Sequence, residues 1–336
     1  MKFGIGGRHL SSVVESTNEI IETVRIAEEL GFYSAWISDD EFFRDPYTVL
    51  SACGLATRSI LLSTGMTNPF TRHPAVTARA VATLQELTAN RIRLGLATGG
   101  GARLLKTLHL EKREGVTRCK EYVSIVRALL SGDEVTFHGD FFHLSKVRIA
   151  GVRPVPAQIF LAGQGPTMLK TAGQIADGVV ISYGGPDYLD YCLNKIEEGA
   201  SSCNRTLSEI RLVGWVPFDI TTDQSQSKEV TKFYSANLLS NFPEEGLKHI
   251  PIDLNSAHEI KKSFSDPITR PQAMDLITDE IINIFTAVGD ATKCLSVLDE
   301  FRRKGFSEVV FWLVHKSFPD KIESLARISR ILSDYP

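Results

Sequence analysis

Short, continuously apolar runs alternate with longer amphipathic stretches along almost the whole chain. An apolar run at 2–6 precedes an amphipathic stretch over 18–30, which closes on Gly31, a residue suited to the position just past a helix. SAWISDD (34–40) reads as the next strand and 46–58 as the next helix. A strand over 60–66 leads into HPAVTARAVATLQELTANR (73–91), a helix with Pro74 in its first turn. IRLGLATGGG (92–101) is a strand that runs into glycines, and a long helix follows near 113–131. EVTFHGDFFHL (134–144) departs from the alternation and reads as a β-hairpin turned at 138–140. The alternation resumes with strands at 157–165, 178–184 and 210–220 and helices at 166–176 and 186–203. The segment 221–289 has no clean period and is expected to be mostly helical, with an irregular part near 241–272. A helix over 291–304 ended by Gly305, a strand over 308–316 and a helix over 320–333 complete the pattern.

These elements amount to eight strands, each followed by a helix. Their cores are too continuously apolar for sheets wet on one face, and they fit a parallel sheet covered by helices. Eight such units in 336 residues, with insertions at about 134–156 and about 221–289, predict one TIM (β/α)8 barrel domain. The alternative is a doubly wound open sheet, which usually carries G-x-G-x-x-G after its first strand. Gly4, Gly6 and Gly7 do not make that pattern.

Composition narrows the function. The chain is 43% hydrophobic and 23% charged, with a net charge of −3 and a pI near 6.3. Nothing in that balance points to nucleic acid or an anionic membrane as partner. No apolar run approaches the roughly 18 residues that span a bilayer, and the N-terminus lacks the pattern of a secretory signal. Five dispersed cysteines without a C-x-x-C pair read as structural thiols in a reducing compartment, hence a cytoplasmic protein.

A TIM barrel carries its site at the carboxyl ends of its strands. Those ends hold Asp39, Asp40 and Glu41 (strand 2), Gly65, Met66, Thr67, Asn68 and Pro69 (strand 3), and Ala97, Thr98, Gly99, Gly100 and Gly101 (strand 4). Strand 5 ends in Ala162, Gly163, Gln164, Gly165, Pro166 and Thr167, and strand 8 in His315 and Lys316. Glycines at three of these ends let backbone approach a ligand, and the 163–167 turn at a helix start offers N–H groups to a phosphate. Glycine-rich turns are also ordinary in such loops, so each has a purely structural reading beside the functional one. Asp39, directly after an apolar run, either faces the mouth or belongs to a solvated loop. Asp45 before Pro46 reads as a helix N-cap, and His73 before Pro74 as a helix start. His138 and His143 form no metal set with anything nearby in sequence. G-x-S-x-G, Walker A and H-E-x-x-H motifs are absent from the sequence. An enzyme with a glycine-lined rim and no acid/base motif leaves its chemistry to a cofactor.

The stretch 31–88, GFYSAWISDDEFFRDPYTVLSACGLATRSILLSTGMTNPFTRHPAVTARAVATLQELT, closely resembles the bacterial-luciferase-like superfamily. It is most similar to the branch that uses the deazaflavin coenzyme F420, which includes methylenetetrahydromethanopterin reductase. RIRLGLATGGG, YVSIVRALLSGDEVTFHGDFFHL, IFLAGQGPTMLKTAGQIADGVVIS and AVGDATKCLSVLDEFRRKGFSEVVFW continue the pattern, which covers nearly all of the chain except about 221–280. The resemblance implies a homodimeric TIM barrel binding F420 or FMN at its strand ends. It implies a non-prolyl cis peptide at Gly65–Met66 in a strand-3 bulge that backs the ring, with Thr67 beside it. Asp39 matches an aspartate that contacts the ring. Thr98, Gly99 and Gly100 match the strand-4 loop, and Ala162, Gly163, Gln164, Gly165, Pro166 and Thr167 the stretch that holds the ribityl chain and phosphate. Two positions depart from the branch: many members have histidine where this chain has Asp40, and the reductase has a strand-1 glutamate where this chain has Gly6 and Gly7. The resulting expectation is an F420-dependent oxidoreductase that moves a hydride between the deazaflavin and a small organic substrate, with Asp40 or Glu41 as acid/base. An FMN-dependent monooxygenase and a cofactor-free barrel acting as a binding protein are the other readings. The segment 221–280 is expected to shape the substrate pocket.

Overall fold

The computed structural model describes residues 1–7, 16–39, 43–98, 105, 107–110, 114–223, 225, 227–266, 268–315 and 317–336. The barrel strands are β1 (Lys2–Gly6), β2 (Ser34–Ile37), β3 (Leu61–Thr64), β4 (Ile92–Ala97), β7 (Gln158–Ala162), β8 (Gly178–Ser182), β9 (Arg211–Ile220) and β11 (Glu308–Leu313). They pair in the order β9-β11-β1-β2-β3-β4-β7-β8, and β8 returns to β9. Every one of these pairings is parallel, so the sheet closes into a TIM barrel. β10 (Ala287–Gly289) runs parallel to the end of β9. β5 (Val135–His138) and β6 (His143–Val147) form the antiparallel hairpin read from the sequence.

Helices cover the barrel: α1 (Thr17–Glu29), α2 (Pro46–Ala56), α3 (Pro74–Leu87), α4 (Gly115–Leu130), α5 (Pro166–Ile175) and α6 (Pro186–Ser201). After β9 come α7 (Lys228–Asn241), α8 (Glu244–Leu247), α9 (Leu254–Ser265), α10 (Arg270–Asp275) and α11 (Asp279–Phe285), and then α12 (Ala291–Arg303) and α13 (Phe318–Leu332). The stretch 241–272, expected to be irregular, is therefore largely helical. Its helices are short, and the sequence periodicity breaks at each turn between them.

Local chemistry explains the helix ends. Ser16 and Glu19 make a capping box at α1. Asp45 caps α2 through the Thr48 amide at 2.9 Å, and His73 Nδ1 accepts from the Ala75 amide at the start of α3. Proline occupies the first turn of α2, α3, α5 and α6, where its missing N–H costs nothing.

The barrel interior is polar at its floor. Arg93, near the start of β4, reaches Glu308 at the start of β11 with Nη1 2.7 Å from Oε2, and its guanidinium lies 4.6 Å from the Trp36 ring. Trp36 Nε1 donates to Glu308 Oε1 at 3.0 Å, and Ser34 Oγ donates to the same oxygen. Burial alone would raise the Glu308 carboxyl. The Arg93 charge and the hydrogen bonds from Arg93, Ser34 and Trp36 outweigh it and hold the group below its ordinary value.

Candidate functional site

At the opposite end of the barrel, β3 stops at Thr64 and the next peptide, Gly65–Met66, is cis. Pairing with β4 resumes one step later, where the Thr67 amide donates to Gly95 O at 3.0 Å and the Ala97 amide to Thr67 O at 2.9 Å. On the β4 side the ladder is thus interrupted by a bulge at Gly65 and Met66, while the Gly65 amide still donates to Ile37 O of β2 at 2.7 Å. Gly95 makes room for it, since a Cβ there would stand 2.2 Å from Thr64 O and 2.4 Å from Met66 Sδ. The turn that follows is locked by Asn68 Oδ1, which accepts from the Phe70 amide (2.9 Å) and the Thr71 amide (3.1 Å).

Asp39 belongs to this rim. Its Oδ2 accepts from Thr67 Oγ1 at 2.6 Å, which ties the end of β2 to the bulge. Behind Thr67 lies a buried hydroxyl cluster. Thr77 and Tyr122 share a hydrogen bond, and burial pushes the neighbouring Tyr47 hydroxyl up to about 12, so it stays protonated at neutral pH. Thr98 packs against the start of α4, where a Cβ on Gly115 would fall 3.1 Å from Thr98 Cβ. Asp40, Glu41, Gly99 and Gly100 lie outside the described residues.

The strand-5 turn has Gly165 as N-cap of α5 and Pro166 as its first residue. The Thr167 and Met168 amides at that helix start have no intrahelical partner. Gly163 and Gly165 differ in kind. A Cβ on Gly163 would meet Met168 Cγ at 2.4 Å, whereas nothing lies within 4 Å of a Cβ on Gly165. Ala162, Gly163, Gln164, Gly165 and Pro166 are all half-buried, and Thr167 is exposed. A groove of about 420 Å³ borders the turn on the outer flank, lined by Pro166 and Thr167 with Lys120, Lys170 and Lys195. Glu198 pairs with both Lys170 (2.7 Å) and Lys195 (2.8 Å). The groove is therefore a polar approach to the turn and lacks the apolar walls of a ring site.

An aromatic layer spans the barrel below the bulge. Trp36, Phe160 and Trp215 pack edge to face, with ring centroids 5.4 and 5.8 Å from Trp36. Trp215 touches Trp312 at 5.6 Å, and Trp312 touches Tyr234 of α7 at 5.1 Å. Sequence reasoning took Trp215 and Trp312 as strand residues and missed their place in this layer. The available signal was that all three tryptophans of the chain fall within predicted strands. The indole nitrogens of Trp215 and Trp312 are buried and have no hydrogen-bond partner among the described residues, a condition that costs about 1–3 kcal/mol per donor.

His315, at the end of strand 8, is a structural residue. Its Nε2 lies 3.4 Å from Asp219 Oδ1, which also takes Ser324 Oγ at 2.6 Å and Arg327 Nη2 at 3.0 Å. Burial would raise the Asp219 carboxyl, but these partners hold it below its ordinary value. The cluster fastens the ends of β9 and β11 to α13.

The chain is 28% identical over 292 residues to 5,10-methylenetetrahydromethanopterin reductase of Methanolobus tindarius, covering 87% of this chain and 89% of that one. It is 30% identical over 244 residues to F420-dependent glucose-6-phosphate dehydrogenase of Nakamurella multipartita, covering 69% and 72%. The solved structure of coenzyme F420 dependent tetrahydromethanopterin reductase from Methanopyrus kandleri superposes with a TM-score of 0.85 at 27% identity, over 98% of this chain and 97% of that one. The bulged strand 3, the turn before α5 and these matches agree with a family model, luciferase-like monooxygenase, that fits residues 1–308, and the chain belongs to that family.

Proposed function

We propose that this protein is a coenzyme F420-dependent oxidoreductase that transfers a hydride between the deazaflavin and an organic substrate, in the manner of its methylenetetrahydromethanopterin reductase relatives. The observation that carries this reading is the strand-3 bulge at the carboxyl end of the barrel, tied to Asp39 through Thr67 above an aromatic layer. The residues present fit such a group. The open space at Gly165 beside the unpartnered Thr167 and Met168 amides suits a phosphodiester at a helix start. The glycine-cleared rim suits a flat ring. Gly65, Met66 and Thr67 would support the ring, Asp39 would accept from a ring N–H, and Thr98, Gly99 and Gly100 are proposed as further cofactor-binding residues. Ala162, Gly163, Gln164, Gly165, Pro166 and Thr167 would hold the ribityl chain and phosphate. When bound, the deazaflavin supplies a ring carbon that gives or takes the hydride. The chain's own work is to hold the substrate carbon against that face and to keep water out, to which Tyr234 of α7 contributes by packing on Trp312. Asp40 or Glu41 is the proposed acid/base residue.

Fluorescence titration of the purified protein with F420 and, separately, FMN tests the reading. F420 is expected to bind the more tightly; binding of FMN alone would overturn it. Gly165→Ala is the cleaner probe of the phosphate turn than a Gly163 variant, because the added methyl meets nothing in the fold. It is expected to weaken F420 binding roughly tenfold, about one lost hydrogen bond, without moving the melting temperature. Unchanged affinity would take the phosphate away from this turn.

We also infer one barrel domain with the hairpin and the α7–α11 segment as insertions, and a homodimer. α2 contains no charged residue, yet Thr48, Leu55 and Ala56 are exposed, and neighbouring α3 exposes Val76 and Leu87 on a face that also carries Arg79, Thr83 and Glu86. A second copy would cover both faces. Light scattering is expected to give twice the 37.1 kDa of the chain; a monomer at micromolar concentration would sink this inference. The cytoplasmic reading rests on the scattered cysteines, four of them buried as free thiols. Among the described residues no helix is long and apolar enough to cross a membrane.

A further inference from the structure

We propose that the indole N–H groups of Trp215 and Trp312 are the mouth's hydrogen-bond donors to a planar ligand ring that carries carbonyl oxygens in its plane. The proposal rests on the reading of the mouth as a ring-binding site and adds the groups that orient the ring.

The three tryptophans divide sharply. Trp36 Nε1 donates to Glu308 and Ser34 at the barrel floor. Trp215 Nε1 and Trp312 Nε1 are equally withdrawn from solvent, yet neither has an acceptor among the described residues. Buried donors without partners are rare, and each calls for an explanation. Both lie where a ligand would arrive. Trp215 abuts the bulge, since a Cβ on Gly65 would stand 3.1 Å from its Cη2. Trp312 borders the end of β1, where a Cβ on Gly7 would stand 2.8 Å from its Cδ1. Gly7, just past the end of β1, thus yields its side-chain space to the Trp312 ring. Tyr234 adds a third aromatic wall from α7. Flat apolar walls with donors at their edges recognise a conjugated lactam, which stacks on the walls and presents C=O to the N–H. Both the deazaflavin and a pterin-type substrate carry that chemistry.

Trp215→Phe and Trp312→Phe keep a ring and remove the donor. Each variant is to be titrated with F420, with tetrahydromethanopterin and with FMN, and melted without ligand. At least one variant is expected to lose about tenfold in affinity for one ring while its melting temperature holds or rises, because an unpaired buried donor is gone. Loss toward F420 assigns the donors to the cofactor, and loss toward tetrahydromethanopterin assigns them to the substrate. Benzothienylalanine at the same position keeps the shape without the N–H and must reproduce the loss. If it binds like wild type, ring area was the cause and the proposal falls. It also falls if every affinity is unchanged while stability drops, which would mean that the N–H groups rest on neighbouring π faces. A wild type that binds FMN and not F420 refutes the cofactor reading alone, and the variants still test the donors with FMN. A wild type that takes none of the three rings overturns both.

Discussion

Glu308→Ala is expected to cost about 3–5 kcal/mol of folding stability, the usual price of leaving one member of a buried ion pair alone. Arg93 and Glu308 are 2% and 4% exposed at their side chains, so the guanidinium left behind has no route to water. Three further groups lose a partner with the carboxylate: Ser34, Trp36 and the second Arg93 nitrogen at 3.1 Å. The sign of the pH dependence follows from the direction of the carboxyl shift. The folded value lies below the ordinary 4.5, so the stabilisation is complete above that value and is lost as pH falls through the folded value. Denaturant unfolding at pH 7 should show the full gap between wild type and variant. The gap should narrow once the pH drops below about 4.5. A loss under 1 kcal/mol at pH 7 would mean that water reaches the barrel floor and that the pair is not buried in solution.

Much of the barrel was legible because its signals are local. Short continuously apolar runs mark the barrel strands and 3.6-residue patterning marks the helices between them outside 221–289, and a proline or N-cap residue marks where helices start, as with Pro46, Pro74, Pro166 and Pro186. Strand ends could therefore be searched for chemistry before any coordinates, and Gly65, Met66, Thr67 and Asp39 were found to share one rim. What escaped depends on contacts between distant residues. Arg93 and Glu308 are separated by 215 positions, and neither carries a motif. Trp215 and Trp312 look like ordinary strand residues until it is known which nitrogen has an acceptor. Gly163 and Gly165 are indistinguishable in sequence, and only the position of Met168 makes one a packing glycine and the other an open one.

Asp39→Ala should weaken F420 binding while changing stability less than Asp45→Ala does. The two aspartates flank one loop and differ in what they hold. Asp45 Oδ1 takes the Thr48 amide and hydroxyl, both at 2.9 Å, which is the work of an N-cap. Its contact with Arg72 is long at 3.5 Å and half-exposed, so it adds little. Losing this cap costs about 1 kcal/mol and leaves the mouth untouched. Asp39 sits at the end of buried β2, and its carboxylate is aimed at the bulge by Thr67 at 2.6 Å. If it accepts from a ring N–H, the lost charge-assisted hydrogen bond is worth about 1.5–3 kcal/mol, roughly tenfold to a hundredfold in affinity. Thr67→Val removes the donor that aims the carboxylate and should give a smaller loss of the same kind, with Thr67→Ser restoring it. Thermal melts and F420 titrations of the four variants separate these roles. Should Asp45→Ala impair binding while Asp39→Ala leaves it intact, the mouth of the barrel is not where the strand-3 bulge puts it.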